Sequence, residues 1–407
     1  MASTNPLVVD GARLLDLANL DPRVPFMLQV RRAHSTTFLD EVRTVNRQAY
    51  CRWKAAYPNF LGFYAGNEID CAYVGYLRNS LTQNVARLRQ AKVPEPVVGT
   101  IEATLAEAVK DKDRGLAAFR KLYFEGAPRF FFGDTDKLIY LHSAWCVDAY
   151  PLEWGAGQVI LETTSTGPYR HQQAMASARG AARQYGKPWI WYMAVCYNGY
   201  TEAGEWDANA FPYSLTADPA PVSSEPPGHV RGPTCGMSPS LLRRDFFLGY
   251  LSGASMVQPE TYPYAFWRYK TPDRKTFELS AHGAAMKEMM AFSQKHPDRG
   301  VSYAPVALLL PYNHAQACWG GSSFSHFPMT RADTMIDAFQ FTILPQAQDG
   351  KKGLEGCLAN SEFGDLYDIL RPDPPSGPIP LAILNAYPVA ILLGEFAPDR
   401  ALARRDQ

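Results

Sequence analysis

The feature that most constrains this chain is an apolar run of strand length that ends in polar groups, and it occurs three times. Phe60-Leu61-Gly62-Phe63-Tyr64-Ala65-Gly66 leads into Asn67-Glu68-Ile69-Asp70. Gln158-Val159-Ile160-Leu161 ends on Glu162, and Ala254-Ser255-Met256-Val257 runs through Gln258-Pro259 to Glu260. A strand that delivers an acid at its far end is how (β/α)8 folds carry polar groups to the rim of a parallel barrel. Three such acids are hard to account for as solvated surface.

The segments between these strands fit the same architecture. Phe26 to Arg31 reads as a strand, and Ser35 offers an N-cap to a helix with apolar positions Phe38, Val42, Val45, Ala49 and Trp53. That helix stops at Tyr57-Pro58, because proline disfavours helical backbone in the residue before it. Residues 72–125 read as helical, with further strands at Leu138–His142 and Trp189–Val195. Gly186 closes a helix over Gln172–Tyr185, and the Pro-, Gly- and Ser-rich stretch 200–235 reads as a long rim loop. Ser238-Pro239 opens another helix, in which Gly249 and Gly253 permit close approach, and 281–294 is the last helix of this part. Ala265–Tyr269 is a doubtful extra strand.

After His296-Pro297-Asp298-Arg299-Gly300 come apolar strands at Val306–Leu310, Leu366–Leu370 and Val389–Leu393, with a helical segment at 332–341. The expected fold is therefore α/β: a (β/α)8 TIM-type barrel over 1–297, followed over 301–407 by a partial open α/β sheet. The count of six firm strands and one doubtful one leaves open whether the barrel lacks strands at its N-terminus.

Composition narrows the function. Lysines and arginines number 40, as do aspartates and glutamates, so no electrostatic footprint for nucleic acid or an anionic membrane is expected. No apolar run approaches the length needed to span a bilayer. The opening Met-Ala-Ser-Thr-Asn-Pro is not a signal peptide, which leaves a cytoplasmic protein or an N-terminally trimmed secreted one. The cysteines 51, 71, 146, 196, 235, 318 and 357 form no C-x-x-C pair, and the eight histidines form no H-x-H or H-E-x-x-H pattern. Neither a resident metal nor a nucleotide cofactor is expected. An aromatic share of 13% suits stacking on sugar rings, although large cores account for most of it.

The chemistry that most often uses a pair of such acids is glycoside hydrolysis. Glu68, Glu162 and Glu260 are the candidate catalytic residues. For Glu68 the alternative is an acid at a helix N-terminus; for Glu162 it is a pairing with Arg179 or Arg183, and for Glu260 with Arg268. Asn67, Asp70, His142, Trp145, Tyr192, Tyr197 and Asn198 are candidate substrate-binding residues, with Arg31, Arg32 and His34 at the same mouth. A lone histidine on an apolar strand is more often a satisfied core group, and that is the alternative for His142. A non-catalytic carbohydrate-binding barrel and a metal-dependent hydrolase using His34, His142 and Asp148 are the rival readings.

Asn67-Glu68, the stretch from Arg179 to Trp189 and Ser238-Pro239-Ser240-Leu241-Leu242-Arg243-Arg244 together resemble uncharacterised glycoside-hydrolase-like TIM-barrel proteins. Val306–Leu310 and Tyr387–Glu395 resemble the class I glutamine-amidotransferase-like domain that follows the barrel in family 42 β-galactosidases. The resemblance implies Glu68 as acid/base of a retaining glycosidase and Glu260 as its nucleophile, with Glu162 as runner-up. It also implies a carbohydrate substrate and no cofactor.

Overall fold

The computed structural model describes residues 26–29, 55, 57–64, 69–125, 134–142, 147–164, 168–194, 220–221, 230–231, 239–260, 267–269, 276–314, 327–328, 330–331, 333–335 and 366–394. Strands β1 (Phe26–Gln29) and β2 (Phe60–Tyr64) precede four helices, α1 (Ile69–Arg78), α2 (Leu81–Gln90), α3 (Glu95–Ala108) and α4 (Lys112–Tyr123). Each boundary has a local cause. Ser80 caps α2 through a reciprocal box with Gln83, Pro96 sits in the first turn of α3, and the Asp111 carboxylate accepts from the Arg114 N–H to start α4. Then follow β3 (Leu138–His142), α5 (Ala149–Glu153), β4 (Gln158–Thr164), α6 (Pro168–Tyr185) and β5 (Trp189–Ala194). A small antiparallel pair, β6 (Ala220–Pro221) and β7 (Val230–Arg231), precedes α7 (Pro239–Leu251) and β8 (Met256–Glu260).

The main sheet has six strands in the order β1-β2-β3-β4-β5-β8, and every pairing in it is parallel. Among the described residues β1 and β8 are its edges, and no pairing closes it into a barrel. Pro259 lies within β8, a position where the missing N–H is tolerated at a sheet edge. The doubtful strand at 265–269 is real but lies elsewhere: β9 (Trp267–Tyr269) forms an antiparallel hairpin with β10 (Phe277–Leu279), ahead of α8 (Ala281–Lys295).

The two faces of the main sheet are covered differently. Leu138 and Tyr140 pack into a core with Tyr73, Ile101, Leu105 and Phe119 of α1, α3 and α4. Val159, Leu161, Trp189, Trp191 and Met193 pack under α6 and α7. The alternate residues Ile139, Leu141, Ile160 and Ile190, with Met27, Tyr192 and Met256, form a separate cluster on the opposite face, free of helix residues. Near its start β2 carries an irregularity: register shifts where Phe60 pairs Phe26 and Gly62 pairs Met27. Gly62 has φ +154, and a Cβ there would run into the Lys137 carbonyl, so this bulge requires glycine.

A second parallel sheet follows, in the order β12-β11-β13, from β11 (Val306–Leu309), β12 (Tyr367–Leu370) and β13 (Val389–Leu392), with α9 (Leu381–Leu384) before the last strand. It docks on the outer side of α6. Every residue from Ala174 to Ala182 is buried, because α6 lies between the two sheets. Ala174, Ala178, Ala181 and Ala182 keep that face low enough for the helix to approach both layers. Gly180 faces Ile369 so closely that a Cβ would collide with its carbonyl oxygen. Overpacking of this kind costs roughly 1–3 kcal/mol. Gly180→Ala is accordingly expected to lower unfolding stability by about that amount, measured by denaturant titration; an unchanged midpoint would show that the sheet can retreat from the helix without cost.

Candidate active site

The ends of the main-sheet strands follow from its register. His142 pairs with Leu161, Leu161 with Trp191, and Trp191 with Val257. One residue further on, Glu162 pairs with Tyr192 and Tyr192 with Gln258. Because strand side chains alternate, Glu162, Tyr192 and Gln258 share the face of Ile160, Ile190 and Met256. A carboxylate, a phenol and an amide therefore stand at one level across three neighbouring strands, above a floor of isoleucine and methionine. Glu162 is 7% exposed, and Tyr192 and Gln258 are half-buried. The interleaved Thr163 faces the helices, where its hydroxyl accepts from Trp191 Nε1 at 2.8 Å.

Glu260 ends β8, its backbone in register with Ala194 and, through it, Thr164. Its backbone lies two residues beyond the Glu162 level. Glu68 and Asn67 fall outside the described residues, as do Trp145, Tyr197, Asn198, Arg31, Arg32 and His34. Asp70 is the second residue of α1 and is buried, so it sits where an acid meets the positive end of the helix dipole.

Two expectations about partners are revised. Arg179 and Arg183, the alternative partners for Glu162, both point away from the main sheet to Asp368 of β12. Arg179 Nε lies 2.6 Å from Oδ1, Arg183 bonds Oδ2, and Tyr387 donates to Oδ2 at 2.7 Å. His142 lies on the opposite alternation from Glu162, on the helix-covered side of β3, and is fully buried with Nε2 2.8 Å from Asp148 Oδ1. Ser177 of α6 donates to the other Asp148 oxygen at 2.5 Å. This buried set ties β3, α5 and α6 together and does not face the Glu162 level. Gln258 was not singled out from sequence, although its spacing of two from Met256 is the signal that places it.

Among the described residues no group of three His, Cys, Asp or Glu is arranged to hold a metal ion, and no helix is long and apolar enough to cross a membrane. No family model matches the chain, and no curated protein matches it. Among solved structures it is similar to a beta-galactosidase from the psychrophilic Marinomonas ef1, with a TM-score of 0.42 and 13% identity. That similarity covers 92% of this chain and 59% of the beta-galactosidase, so the chain spans about three-fifths of that protein's length. A likeness at this level leaves the functional reading to the residues themselves.

If the His142 set is structural, removing its carboxylate should damage the fold and not the chemistry. Asp148→Ala is expected to cost about 1–3 kcal/mol for each polar group deprived of its acceptor. Thermal unfolding checks this, and an unchanged midpoint would return His142 to the candidate binding residues.

Proposed function

We propose that this chain is a glycoside hydrolase that cleaves an O-glycosidic bond with two carboxylates, on a (β/α)8-type barrel over residues 1–297 carrying a second α/β unit over 301–407. The observation that supports the reading is the level Glu162–Tyr192–Gln258, in which a mostly covered acid and two neutral hydrogen-bonding groups share one face at the carboxyl ends of parallel strands. Amide and phenol groups suit sugar hydroxyls, which both donate and accept.

The strand order bears on which acids pair. Neighbouring strands are roughly 4.8 Å apart, so acids two strands apart are separated laterally by about 10 Å at Cα. Two glutamate side chains leaning together can close most of that gap. Glu162 on β4 is two strands from β8, which carries Glu260, and two strands from β2, which leads to Glu68. β2, after which Glu68 comes in the chain, and β8 are four places apart, and such positions face each other only across a closed barrel, a closure that no pairing among the described residues provides. We therefore place Glu162 in the catalytic pair. Glu260 as nucleophile is the partner we favour, and Glu68 is the other candidate. A retaining outcome requires carboxyl groups roughly 5–5.5 Å apart.

The test is hydrolysis of a panel of aryl glycosides and oligosaccharides by the full chain and by Glu68→Gln, Glu162→Gln and Glu260→Gln. Glu162→Gln and one of the other two are expected to lower kcat by about 10²–10⁴ with an unchanged circular dichroism spectrum. NMR of the first-formed anomer then reads retention or inversion. Sugar binding without turnover across the whole panel would replace the enzyme with a carbohydrate-binding barrel.

A further inference from the structure

The segment that follows β11 meets α4 at a cluster of charged groups far in sequence from the acids discussed above. His314 is 1% exposed and Asp333 is 1% exposed, and His314 Nδ1 lies 2.6 Å from Asp333 Oδ1. The other carboxylate oxygen accepts from Lys112 Nζ at 2.6 Å, from the Thr330 N–H at 2.8 Å and from the Thr330 hydroxyl at 3.0 Å. Lys112 is the first residue of α4. Beside it Asn313 donates to Asp113 at 2.9 Å, and Phe327 packs against Gly115. One buried carboxylate thus joins three pieces of chain: α4, the turn after β11 and the stretch that holds Thr330 and Asp333.

The remaining ring nitrogen, His314 Nε2, is buried and has no hydrogen-bond partner among the described residues. With Nδ1–H donating to Asp333, a neutral ring leaves only a bare acceptor there. A protonated ring would instead bury an unpartnered N–H on a cation, which is far more costly. Among the described residues the charges acting on the ring are Asp333 itself, Lys112 from α4, and Arg371 after β12, whose guanidinium donates to the carbonyls of Pro311 and His314; Asp113 of α4 accepts from the adjacent Asn313. Glu153 of α5 and Asp373 face the neighbouring Tyr312.

We propose that His314, Asp333 and Lys112 form an acid-released clasp, which holds the segment after β11 on α4 while the imidazole is neutral and lets it go when His314 takes up a proton. Burial pushes the imidazole below its ordinary value; its hydrogen bond to Asp333 opposes this, and the Arg371 and Lys112 charges add to it. The sign follows from linkage. Above about pH 6.5 the ring is neutral whether the clasp is closed or open, and the closed form is fully favoured. Below that the open form binds the proton first, so closure weakens as pH falls. Although Asp333 is buried, its bonds to His314, Lys112 and Thr330 hold its carboxyl well below the usual range, so its own titration lies outside this window.

Hydrogen exchange of the full chain, read by mass spectrometry at about pH 7.5 and about pH 5 and corrected for intrinsic exchange, tests the clasp. For a ring that stays neutral when closed, the opening constant should rise by up to about thirtyfold between pH 7.5 and pH 5. The rise should appear in peptides covering 112–123 and 306–314, and not in those covering 239–251. His314→Gln keeps a donor for Asp333 without a titrating group and should flatten the pH dependence. Lys112→Met removes a nearby cation that disfavours the closed protonated ring, so the rise in opening between the two pH values should shrink, which keeps the test open if the glutamine variant does not fold. Equal protection of the wild type at both pH values, or pH-dependent loss retained in His314→Gln, would overturn the proposal.

Discussion

The carboxylate of Asp368 is the point at which the two parallel sheets become one structure. It lies on β12, fully buried, and receives Arg179, Arg183 and Tyr387 at once. Arg179 also donates to the Tyr367 carbonyl at 2.9 Å, and Gln184 makes a two-way bond with the Arg371 backbone at 2.8 and 2.9 Å. Desolvating so many charges offsets much of the Coulombic gain, so the set is weak evidence for stability in itself. Its role is to specify. Breaking it would leave two guanidinium groups under a sheet, and this penalises any other seating of β12 on α6. The small residues of α6 permit close approach, and the charges choose its register.

That helix in turn fixes which residues of the main sheet can serve a site. Its apolar contacts are with Val159, Leu161, Trp189 and Trp191, so one set of alternate positions on β4 and β5 is committed to the core. Glu162 and Tyr192 are left on the other face by the period of two alone. A slip of one residue would bury the carboxylate under α6 and expose Leu161. The buried bond from Trp191 Nε1 to Thr163 guards against this slip, since it is satisfied only in the observed register.

Much of this was legible in the sequence, for local reasons. The strands ending near Tyr64, His142, Glu162, Ala194 and Glu260 stand out as apolar runs, and the helix ending at Tyr185 is bounded by Gly186 and Pro188. Long-range pairing was not legible. Arg179 and Arg183 lie close in sequence to Glu162, yet their partner is Asp368, reached only because a second sheet folds back over α6. His142 ends an apolar strand as a site residue might, but its face is set by Tyr140 and Leu138, and its partners Asp148 and Ser177 come from separate elements. From sequence, 265–269 is only a doubtful extra strand and its hairpin partner β10 is not seen, for a similar reason: a three-residue strand carries no sign of which sheet it joins.

The position of Glu162 is costly on physical grounds. A carboxylate that is 7% exposed loses most of its hydration, a loss that hydrogen-bonding partners only partly restore. The same strand end could carry a leucine and gain stability by extending the floor made by Ile160, Ile190 and Met256. The preceding level on the same face, Ile160, Ile190 and Met256, follows the local rule for a parallel sheet core, and this one breaks it on three strands together with Glu, Tyr and Gln. Departures of that kind concentrate where a chain gives up stability for chemistry. Their common face and common level, more than any one residue among them, are what support a site at this end of the sheet.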